Sequence, residues 1–331
     1  MGVHVAVLGA TGAVGRTMVR VLEQRKFPVE RLTLLATQRS AGEVIPFCGE
    51  GHTVRAFGSR AFAGVEIALF SAGGGPSEEI APQAVKAGAV VIDNSSAFRM
   101  DPGVPLVVPE VNPHAAEHHR GIIANPNCST IQMVVALKPL HDAARVKRVV
   151  VSTYQAVSGS GHKAVKELEQ QTQQHVQGQR LSANVYPYPI AFNVLPHIGD
   201  FEPDGYSSEE WKMHHETRKI MEDDTLSVTA TTVRVPVFIG HAEALNVETR
   251  SKLTPQRATV LLQDAPGVVV QDDVQNARYP LSSDCEGRDE VFVGRIREDF
   301  SQQNCLNLWV VSDNLRKGAA LNAVQIAELL V

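Results

Sequence analysis

One cysteine stands where its thiol would be chemically reactive. Cys128 lies in the run Asn-Pro-Asn-Cys-Ser-Thr-Ile, residues 125–131, where a loop is predicted to enter a helix. At a helix N-terminus the macrodipole and the open N–H groups stabilise a thiolate, which makes the sulfur nucleophilic. The same N–H groups, with the Asn127 amide, are suited to hold an oxyanion. We therefore predict that Cys128 is a nucleophile. The other cysteines are interpreted as buried and inert: Cys48, Cys285 and Cys305.

Residues 9–15, Gly-Ala-Thr-Gly-Ala-Val-Gly, have the composition of a phosphate-binding turn. They stand between a predicted strand, 3–8, and a predicted amphipathic helix, 14–24. Glycines allow a tight turn and a close approach of the backbone to a pyrophosphate, whose charge the helix N-terminus attracts. The GxxGxxG spacing is a weak signal alone, but the strand before it and the helix after it supply the context that a dinucleotide site requires.

The end of the second predicted strand distinguishes between the two nicotinamide cofactors. NAD-binding proteins usually carry an acidic residue there, which bonds the ribose 2′-hydroxyl. Here the strand ends at Ala36 and is followed by Thr-Gln-Arg-Ser-Ala-Gly, which contains no acid. Arg39 and Ser40 are instead suited to bind a 2′-phosphate. The sequence therefore predicts NADP rather than NAD.

Predicted strands and helices alternate through the first 125 residues. Apolar β-rich runs separated by helical patterns are typical of a parallel, doubly wound α/β sheet. The predicted strands are 3–8, 32–36, 65–70 and 89–92, and the predicted helices are 14–24 and 77–87.

From Cys128 onwards the pattern changes to long β-rich segments beside fewer helices. The predicted strands are 147–154, 226–237, 242–249, 291–297 and 305–311, and the helices are 128–141, 163–177, 208–221 and one that starts at Thr254-Pro255. Long strands that look antiparallel indicate an α+β domain. A last helix, 315–330, is expected to return to the first domain. The predicted domains are therefore 1–127 with 315–331, and 128–314.

Composition sets the general class of the protein. The chain has 331 residues, of which 44% are hydrophobic, and a net charge of −5. This composition excludes a disordered, collagen-like or disulfide-stapled chain. The absence of a basic run argues against a nucleic-acid partner, and no apolar stretch approaches the ~20 residues that a membrane span needs. Four cysteines without paired spacing and a start without a basic leader predict a cytoplasmic protein.

Two groups of histidines invite a metal interpretation. His114, His118 and His119 form one group, and His214 and His215 form the other. Neither group is completed by an acidic residue at zinc-ligand spacing. We therefore predict no functional metal.

A series of motifs resembles one enzyme family along essentially the whole chain. They are GATGAVG, QRSAG, NSSAFRMD, NPNCST, YQAVSGSG, EEWKM, RVPVFIGHAE and DNLRKGAA, in this order. The same order occurs in the aspartate-β-semialdehyde dehydrogenases. This resemblance implies an NADP-binding Rossmann domain and a catalytic and dimerisation domain like that of glyceraldehyde-3-phosphate dehydrogenase. The implied reaction is the reversible conversion of L-4-aspartyl phosphate and NADPH into L-aspartate 4-semialdehyde, phosphate and NADP, through an acyl-thioester on Cys128.

The resemblance also implies roles for individual residues. His241 would act as the acid/base and Gln155 would orient the acyl group. The remaining substrate contacts would be Arg234 for the α-carboxylate, Glu209 for the ammonium, and Arg99 and Lys212 for phosphate. The NADP contacts would be Gly9, Thr11, Gly12, Ala13, Val14, Arg39, Ser40, Ser158, Gly159 and Asn314.

Residue chemistry agrees with these roles independently of the resemblance. Departure of a phosphate dianion needs cations, and Arg can bond two of its oxygens at once. Glu209 and Lys212 are three apart on a predicted helix, so they are neighbours on one face. Arg234 and His241 flank a short strand–loop element, and His is suited to proton transfer near neutral pH.

Two alternative functions remain open at this level. The first is N-acetyl-γ-glutamyl-phosphate reductase, which performs the same chemistry on an acetylated, longer substrate. Glu209 argues against it, because a carboxylate suits a free ammonium group and an acetylated nitrogen has no charge to pair. The second is a non-catalytic NADP-binding regulator on the same fold, which the retained Cys128, His241 and arginines argue against.

The resemblance extends to assembly and metabolic context. Family members are homodimers through the second domain, and some dimers pair into tetramers. The β-rich segments between Leu226 and Thr249 are a plausible interface. The reductive direction would serve the biosynthesis of lysine through diaminopimelate, and of threonine, methionine and isoleucine.

Overall fold

A computed structural model describes residues 2–58 and 60–331 of the chain. The chain packs into two compact units. The first unit is Met1–Asn127 with Ala319–Val331, and the second is Cys128–Gly318. The chain thus re-enters the first unit after Gly318, whereas the sequence pattern puts this return at residue 315.

The first unit contains a parallel six-stranded sheet with helices, as the sequence predicts. Its strands are ordered β5-β2-β1-β6-β7-β8. The elements are β1 Val3–Leu8, α1 Ala13–Gln24, β2 Val29–Ala36, β3 Val44–Phe47, β4 Glu50–Thr53, β5 Arg55–Ala56, β6 Ile67–Phe70, α2 Gly74–Lys86, β7 Val90–Asp93, β8 Ile122–Ala124 and, after the chain's return, α8 Leu321–Glu328. The short hairpin β3–β4 and the two-residue strand β5 were not predicted, because strands of two to four residues are too short to show a hydrophobic period.

The centre of this sheet is covered on both faces. Every residue of β1 is buried, which explains why its sequence is an uninterrupted apolar run rather than an alternating one. Apolar residues of α1 and α8 pack with one face of the strands in a single core cluster. This packing stabilises the end of β1, where the glycine-rich turn begins.

The second unit contains a mixed sheet with strand order β10-β9-β11-β14-β13-β12. Its elements are α3 Cys128–Ala144, β9 Val146–Gln155, α4 His162–Val176, α5 Ser208–Met221, β10 Ser227–Arg234, β11 His241–Thr249, α6 Pro255–Gln263, β12 Val268–Val270, α7 Ser282–Cys285, β13 Val291–Glu298 and β14 Cys305–Ser312. The expectation of antiparallel pairing is wrong for two pairs, β9–β10 and β12–β13, which are parallel. Long connections that contain helices allow both parallel crossovers.

Strand register brings distant residues to one edge of this sheet. Arg234, at the end of β10, pairs with Gln155 at the end of β9. His241, at the start of β11, pairs with Ser312 at the end of β14. Helices α3 and α5 pack against each other, and α3 also contacts β9, β11 and β14. Four polar side chains from four strands therefore lie at the same edge.

Candidate active site

Cys128 is the first residue of α3, as the sequence predicts, and it is half-buried. The N–H groups of a first helical turn have no partner within the helix, so the sulfur lies where the backbone favours negative charge. Gly318 packs directly against it, since a Cβ placed on this glycine would lie 2.9 Å from Cys128 Cβ. A side chain at position 318 would therefore displace the thiol.

His241 is completely buried, and its ring has a defined hydrogen-bonding pattern. Its Nδ1 accepts the Ala156 N–H at 3.0 Å, so in the neutral ring the proton is on Nε2. Burial, reinforced by the nearby Arg234 charge, lowers the pKa of His241 well below its ordinary value of 6.5. Nε2 has no hydrogen-bond partner among the described residues, so a neutral imidazole offers one donor to a ligand.

Arg234 is bound to the same short turn as His241. Its Nη1 donates to the Ala156 carbonyl at 2.8 Å, while its Nε has no partner among the described residues. Gly159 lies against both groups, because a Cβ there would be 2.9 Å from Arg234 Nη1 and 3.2 Å from His241 Nε2. The Ala156 backbone thus bonds both the guanidinium and the imidazole, and Gly159 packs against both groups.

A second polar group lies between β9 and α5. Gln155 donates from Nε2 to Glu209 at 3.3 Å, and Lys212 donates to the other Glu209 oxygen at 3.3 Å. Glu209 and Gln155 are buried, whereas the Lys212 side chain is about one-third exposed. A capping box between Ser207 and Glu210 fixes the start of α5 and hence the position of Glu209.

Ser158 and Asn314 form a third group in the second unit. The Asn314 Oδ1 accepts the Gly240 N–H at 2.9 Å, and its Nδ2 donates to the Ser158 hydroxyl at 2.9 Å. Gly240 has φ +94°, a conformation that favours glycine. Asn314 therefore ties the turn of residues 157–160 to the residue that precedes His241.

The predicted dinucleotide turn borders a cavity of about 540 Å³ in the first unit. Gly9 has φ +81°, and a Cβ there would lie 2.3 Å from the Ser71 carbonyl oxygen. A Cβ on Gly15 would lie 2.2 Å from the Gly9 oxygen, so both positions require glycine. Thr11 and Gly12 line the cavity, and Ala13 and Val14 form the first turn of α1.

Arg39 and Ser40 line the same cavity, in a short 3-10 turn that follows β2. The residues that follow β2 supply no carboxylate. Glu79 of α2 is the acidic residue among those that line the cavity in the described part of the chain. The backbone cradle and the cationic end of the cavity fit a phosphorylated dinucleotide.

Arg99 belongs to the first unit and is buried, with 7% of its surface exposed. Its guanidinium donates from Nε to the Asn125 carbonyl at 2.9 Å and from Nη2 to the Asn94 carbonyl at 3.0 Å. Neutral carbonyl groups at these two contacts orient the guanidinium without cancelling its charge. The predicted site residues are thus divided: Arg99, Arg39, Ser40 and the nucleotide turn lie in the first unit, and the remainder lie in the second.

Sequence reasoning missed one buried ionisable residue. Glu243 lies two residues after His241 on β11, is fully buried, and has no hydrogen-bond partner of good geometry for either carboxylate oxygen among the described residues. Burial raises the pKa of Glu243 well above its ordinary value, and the nearby Gln132 amide opposes this only in part. The available signal was a carboxylate in a predicted strand, two residues after His241, because alternate residues of a strand face the same side of the sheet.

The other cysteines differ from one another. Burial raises the pKa of Cys285 to about 12 and also raises that of Cys305, which agrees with their interpretation as inert. The interpretation of Cys48 as buried is wrong, because it is exposed in the turn between β3 and β4. No disulfide joins the described cysteines, and no group of three potential metal ligands occurs in residues 2–58 and 60–331.

A nucleotide cradle in a parallel sheet, a cysteine at the start of a helix and a buried histidine are the features of a dehydrogenase of the two-domain α/β class. Family models support this directly. The semialdehyde dehydrogenase NAD-binding domain matches residues 4–119, and the semialdehyde dehydrogenase dimerisation domain matches residues 137–317. The chain belongs to the semialdehyde dehydrogenase family and is an oxidoreductase of amino-acid biosynthesis.

Individual relatives match over their full lengths. The chain is 58% identical to the aspartate-semialdehyde dehydrogenase of Aquifex aeolicus, covering 100% of this chain and 98% of the relative. It is 50% identical to aspartate semialdehyde dehydrogenase II of Vibrio cholerae, solved with ASA, with a TM-score of 0.96 and coverage of 100% and 98%. The Candida albicans enzyme solved with NADP is 26% identical, with a TM-score of 0.76 and the same coverage. No helix among the described residues has the length and apolar character of a membrane span.

Proposed function

We propose that the protein is an NADP-dependent, phosphate-dependent aspartate-semialdehyde dehydrogenase. In the biosynthetic direction it converts L-4-aspartyl phosphate into L-aspartate 4-semialdehyde. The observation that carries this proposal is the presence of two buried, oppositely charged groups in the second unit: Arg234 beside His241, and Glu209, which accepts from Gln155 and Lys212. A guanidinium and a carboxylate together match the carboxylate and ammonium of an α-amino acid. Relatives that bear this name match the chain along its full length.

Cys128 supplies the nucleophile. Its thiolate attacks the carbonyl carbon of the acyl phosphate, the C–S bond forms, and the C–O bond to phosphate breaks to leave a thioester. The N–H groups at the start of α3 stabilise both the thiolate and the negative charge on the carbonyl oxygen. The Gln155 amide, fixed by Glu209, orients the acyl group.

Arg99 and Lys212 receive the phosphate. The Arg99 guanidinium donates to two carbonyl oxygens, which orient it, and a guanidinium can bond two phosphate oxygens at once. Lys212 is partly exposed, which suits a residue that must release phosphate to solvent after each turnover. In the reverse direction the same two cations hold the phosphate that attacks the thioester.

His241 stabilises the oxyanion formed in the reduction and takes part in proton transfer. When bound, the nicotinamide cofactor supplies a hydride to the thioester carbon. The Nε2–H of the neutral imidazole donates to the resulting oxyanion, which then expels the Cys128 thiolate as the aldehyde forms. The sum consumes one hydride and one proton, and the proton ends on phosphate. In the oxidative direction Nε2 can take the proton of the thiohemiacetal hydroxyl only in the other neutral tautomer, with the ring proton on Nδ1 and the Ala156 N–H contact released.

NADP is proposed over NAD because of the end of β2. Arg39 and Ser40 line the nucleotide cavity where NAD-binding proteins place an acidic residue. The Gly9–Val14 turn would hold the pyrophosphate. Ser158, Gly159 and Asn314 would contact the nicotinamide side. The Candida albicans structure with NADP supports a nicotinamide cofactor for the family.

The working protein is proposed to be a homodimer in the cytoplasm, formed through the second unit, with a dimer of dimers as the larger assembly. The name of the matching dimerisation-domain model supports the dimer. The proposed pathway leads to lysine through diaminopimelate, and to threonine, methionine and isoleucine.

The direct test measures NADPH formation from aspartate semialdehyde, NADP and inorganic phosphate. Activity should require phosphate and should prefer NADP over NAD. N-acetylglutamate semialdehyde is the matched control substrate, because Glu209 is buried and has no partner in an acetylated nitrogen. Preference for the acetylated substrate, or turnover without phosphate, would contradict the proposal. NADP binding without turnover of either aldehyde would favour a regulator.

A further inference from the structure

A second cavity in the first unit is lined by three arginines. It has a volume of about 400 Å³ and lies on the face of the sheet where β2 pairs with β1 and β5. Arg31 comes from β2, Arg55 from β5, and Arg60 from the loop that follows β5. Parallel register places Arg31 beside His4, and Arg55 beside Leu35. Residues from three strands and one loop thus converge on one opening.

The three positive charges are not neutralised by neighbours. None of these guanidinium groups has a hydrogen-bond or ion-pair partner in residues 2–58 and 60–331. Elsewhere in the same unit, Arg16 pairs with Glu43, and Arg25 pairs with Glu328. All three side chains are exposed, so solvent screens part of their mutual repulsion, and an anion bound between them would reduce what remains.

The floor of the cavity is polar and fully paired. His4 Nδ1 donates to the Gly64 carbonyl at 2.8 Å, and Nε2 lies 2.9 Å from the Thr33 hydroxyl. Burial lowers the pKa of His4, the hydrogen bond to Gly64 opposes this, and the Arg31 charge lowers the pKa further. Glu66 is the nearby acid; it accepts the His4 backbone N–H at 2.9 Å and does not line the cavity.

This cavity is separate from the proposed reaction. It shares Ala56 with the nucleotide cavity, but its other lining residues are different. His4 and Arg31 lie near the starts of β1 and β2, whereas the nucleotide turn follows the end of β1. None of the three arginines has a role in the mechanism above.

The lining also limits the class of ligand. Leu35, Ala61 and Ala63 provide an apolar wall opposite groups that bind phosphate or carboxylate bidentately. The volume lies at the small end of the range for organic ligands. We propose that this cavity binds a small organic polyanion with two or more phosphate or carboxylate groups, at a site distinct from the cofactor and substrate sites.

The test is calorimetric titration of the NADP-saturated enzyme in excess inorganic phosphate, so that the cofactor and phosphate sites are already filled. Tripolyphosphate and citrate are the two probes. We expect saturable binding of one probe molecule per chain, weakened about tenfold in Arg55→Gln and in Arg60→Gln, because each loses a charge-assisted contact. The probe that binds more tightly indicates whether the site prefers phosphate or carboxylate groups.

Arg20→Gln is the matched control, since Arg20 is an exposed arginine on α1 in the same unit, outside the cavity. Its probe affinity should be unchanged, and thermal melting should show that all variants fold. The proposal is overturned if neither probe saturates or if Arg20→Gln weakens binding as much as Arg60→Gln. It is also overturned if binding is lost in Arg39→Gln but kept in Arg60→Gln, because the probe would then occupy the nucleotide cavity.

Discussion

The nucleotide cavity and the polar edge of the second sheet are suited to bind their ligands in different ways. The nucleotide turn depends on missing side chains, since Gly9 and Gly15 sit so close to backbone atoms that no Cβ fits. The sheet edge depends on buried charged side chains that are held by residues far away in sequence, such as Gln155 and Glu209. The first is a property of shape and the second is a property of electrostatics. Substitutions in the two regions should therefore affect different kinetic parameters.

The largest expected effect is at the nucleophile. Cys128→Ala should lower kcat by about ten-thousandfold or more, because no other group at the start of α3 can form the thioester. Steady-state NADPH formation and mass spectrometry of the trapped acyl-enzyme measure this. Cys48→Ser is the control, since Cys48 is exposed at a hairpin turn, and it should retain full activity. Comparable activity in both variants would rule out the thioester.

Gly159→Ala should have the second-largest effect on activity. Its new methyl group would lie 2.9 Å from Arg234 Nη1 and 3.2 Å from His241 Nε2, which is closer than ordinary van der Waals contact, so these groups would have to move. We expect kcat/KM to fall by about a hundredfold, because small displacements of positioned groups are costly. Gly58→Ala is the control, since a Cβ there meets nothing within 4 Å. A fully active Gly159→Ala enzyme would show that this crowding does not matter.

Arg39→Gln should have a smaller effect, confined to cofactor binding. We expect the KM for NADP to rise about tenfold, while kcat and the KM for NAD stay unchanged, because only the 2′-phosphate contact is lost. Initial rates with both cofactors measure this. Equal losses with NADP and NAD would show that Arg39 supports the cavity itself rather than the phosphate.

Glu243→Gln tests a buried carboxyl group to which the proposed mechanism gives no role, and its effect should be the smallest. The pKa of Glu243 is raised in the folded state, so the folded protein keeps a proton that the unfolded chain loses above about pH 4.5. The free energy of unfolding therefore falls as pH rises from 4.5 towards the folded-state pKa. An amide removes this penalty, so the variant should gain stability over the wild type as pH rises. Urea unfolding of both proteins across this pH range measures the difference. Free energies of unfolding that change in parallel with pH would contradict a raised pKa of Glu243.

Much of the fold could be predicted from local sequence. The buried run of β1, the helix start at Cys128 and the Thr254-Pro255 start of α6 are each determined by residues within one or two turns. The hairpin β3–β4 and the exposure of Cys48 were missed, because four-residue strands are too short to show a hydrophobic period. The parallel pairing of β9 with β10 was missed because strand partners depend on contacts between distant segments.

The sequence by itself determined which groups are present: one cysteine at a helix start, a glycine turn for a dinucleotide, a basic end to β2, and the arginines and histidine of the motifs. Only the tertiary structure decided their state. The hydrogen bond from the Ala156 N–H to Nδ1 sets the tautomer of neutral His241. Burial, together with the Arg234 charge, lowers the pKa of His241, and burial raises the pKa of Glu243. The physical reason is that residue type and spacing are local, whereas desolvation and hydrogen-bond partners arise only when distant segments pack together.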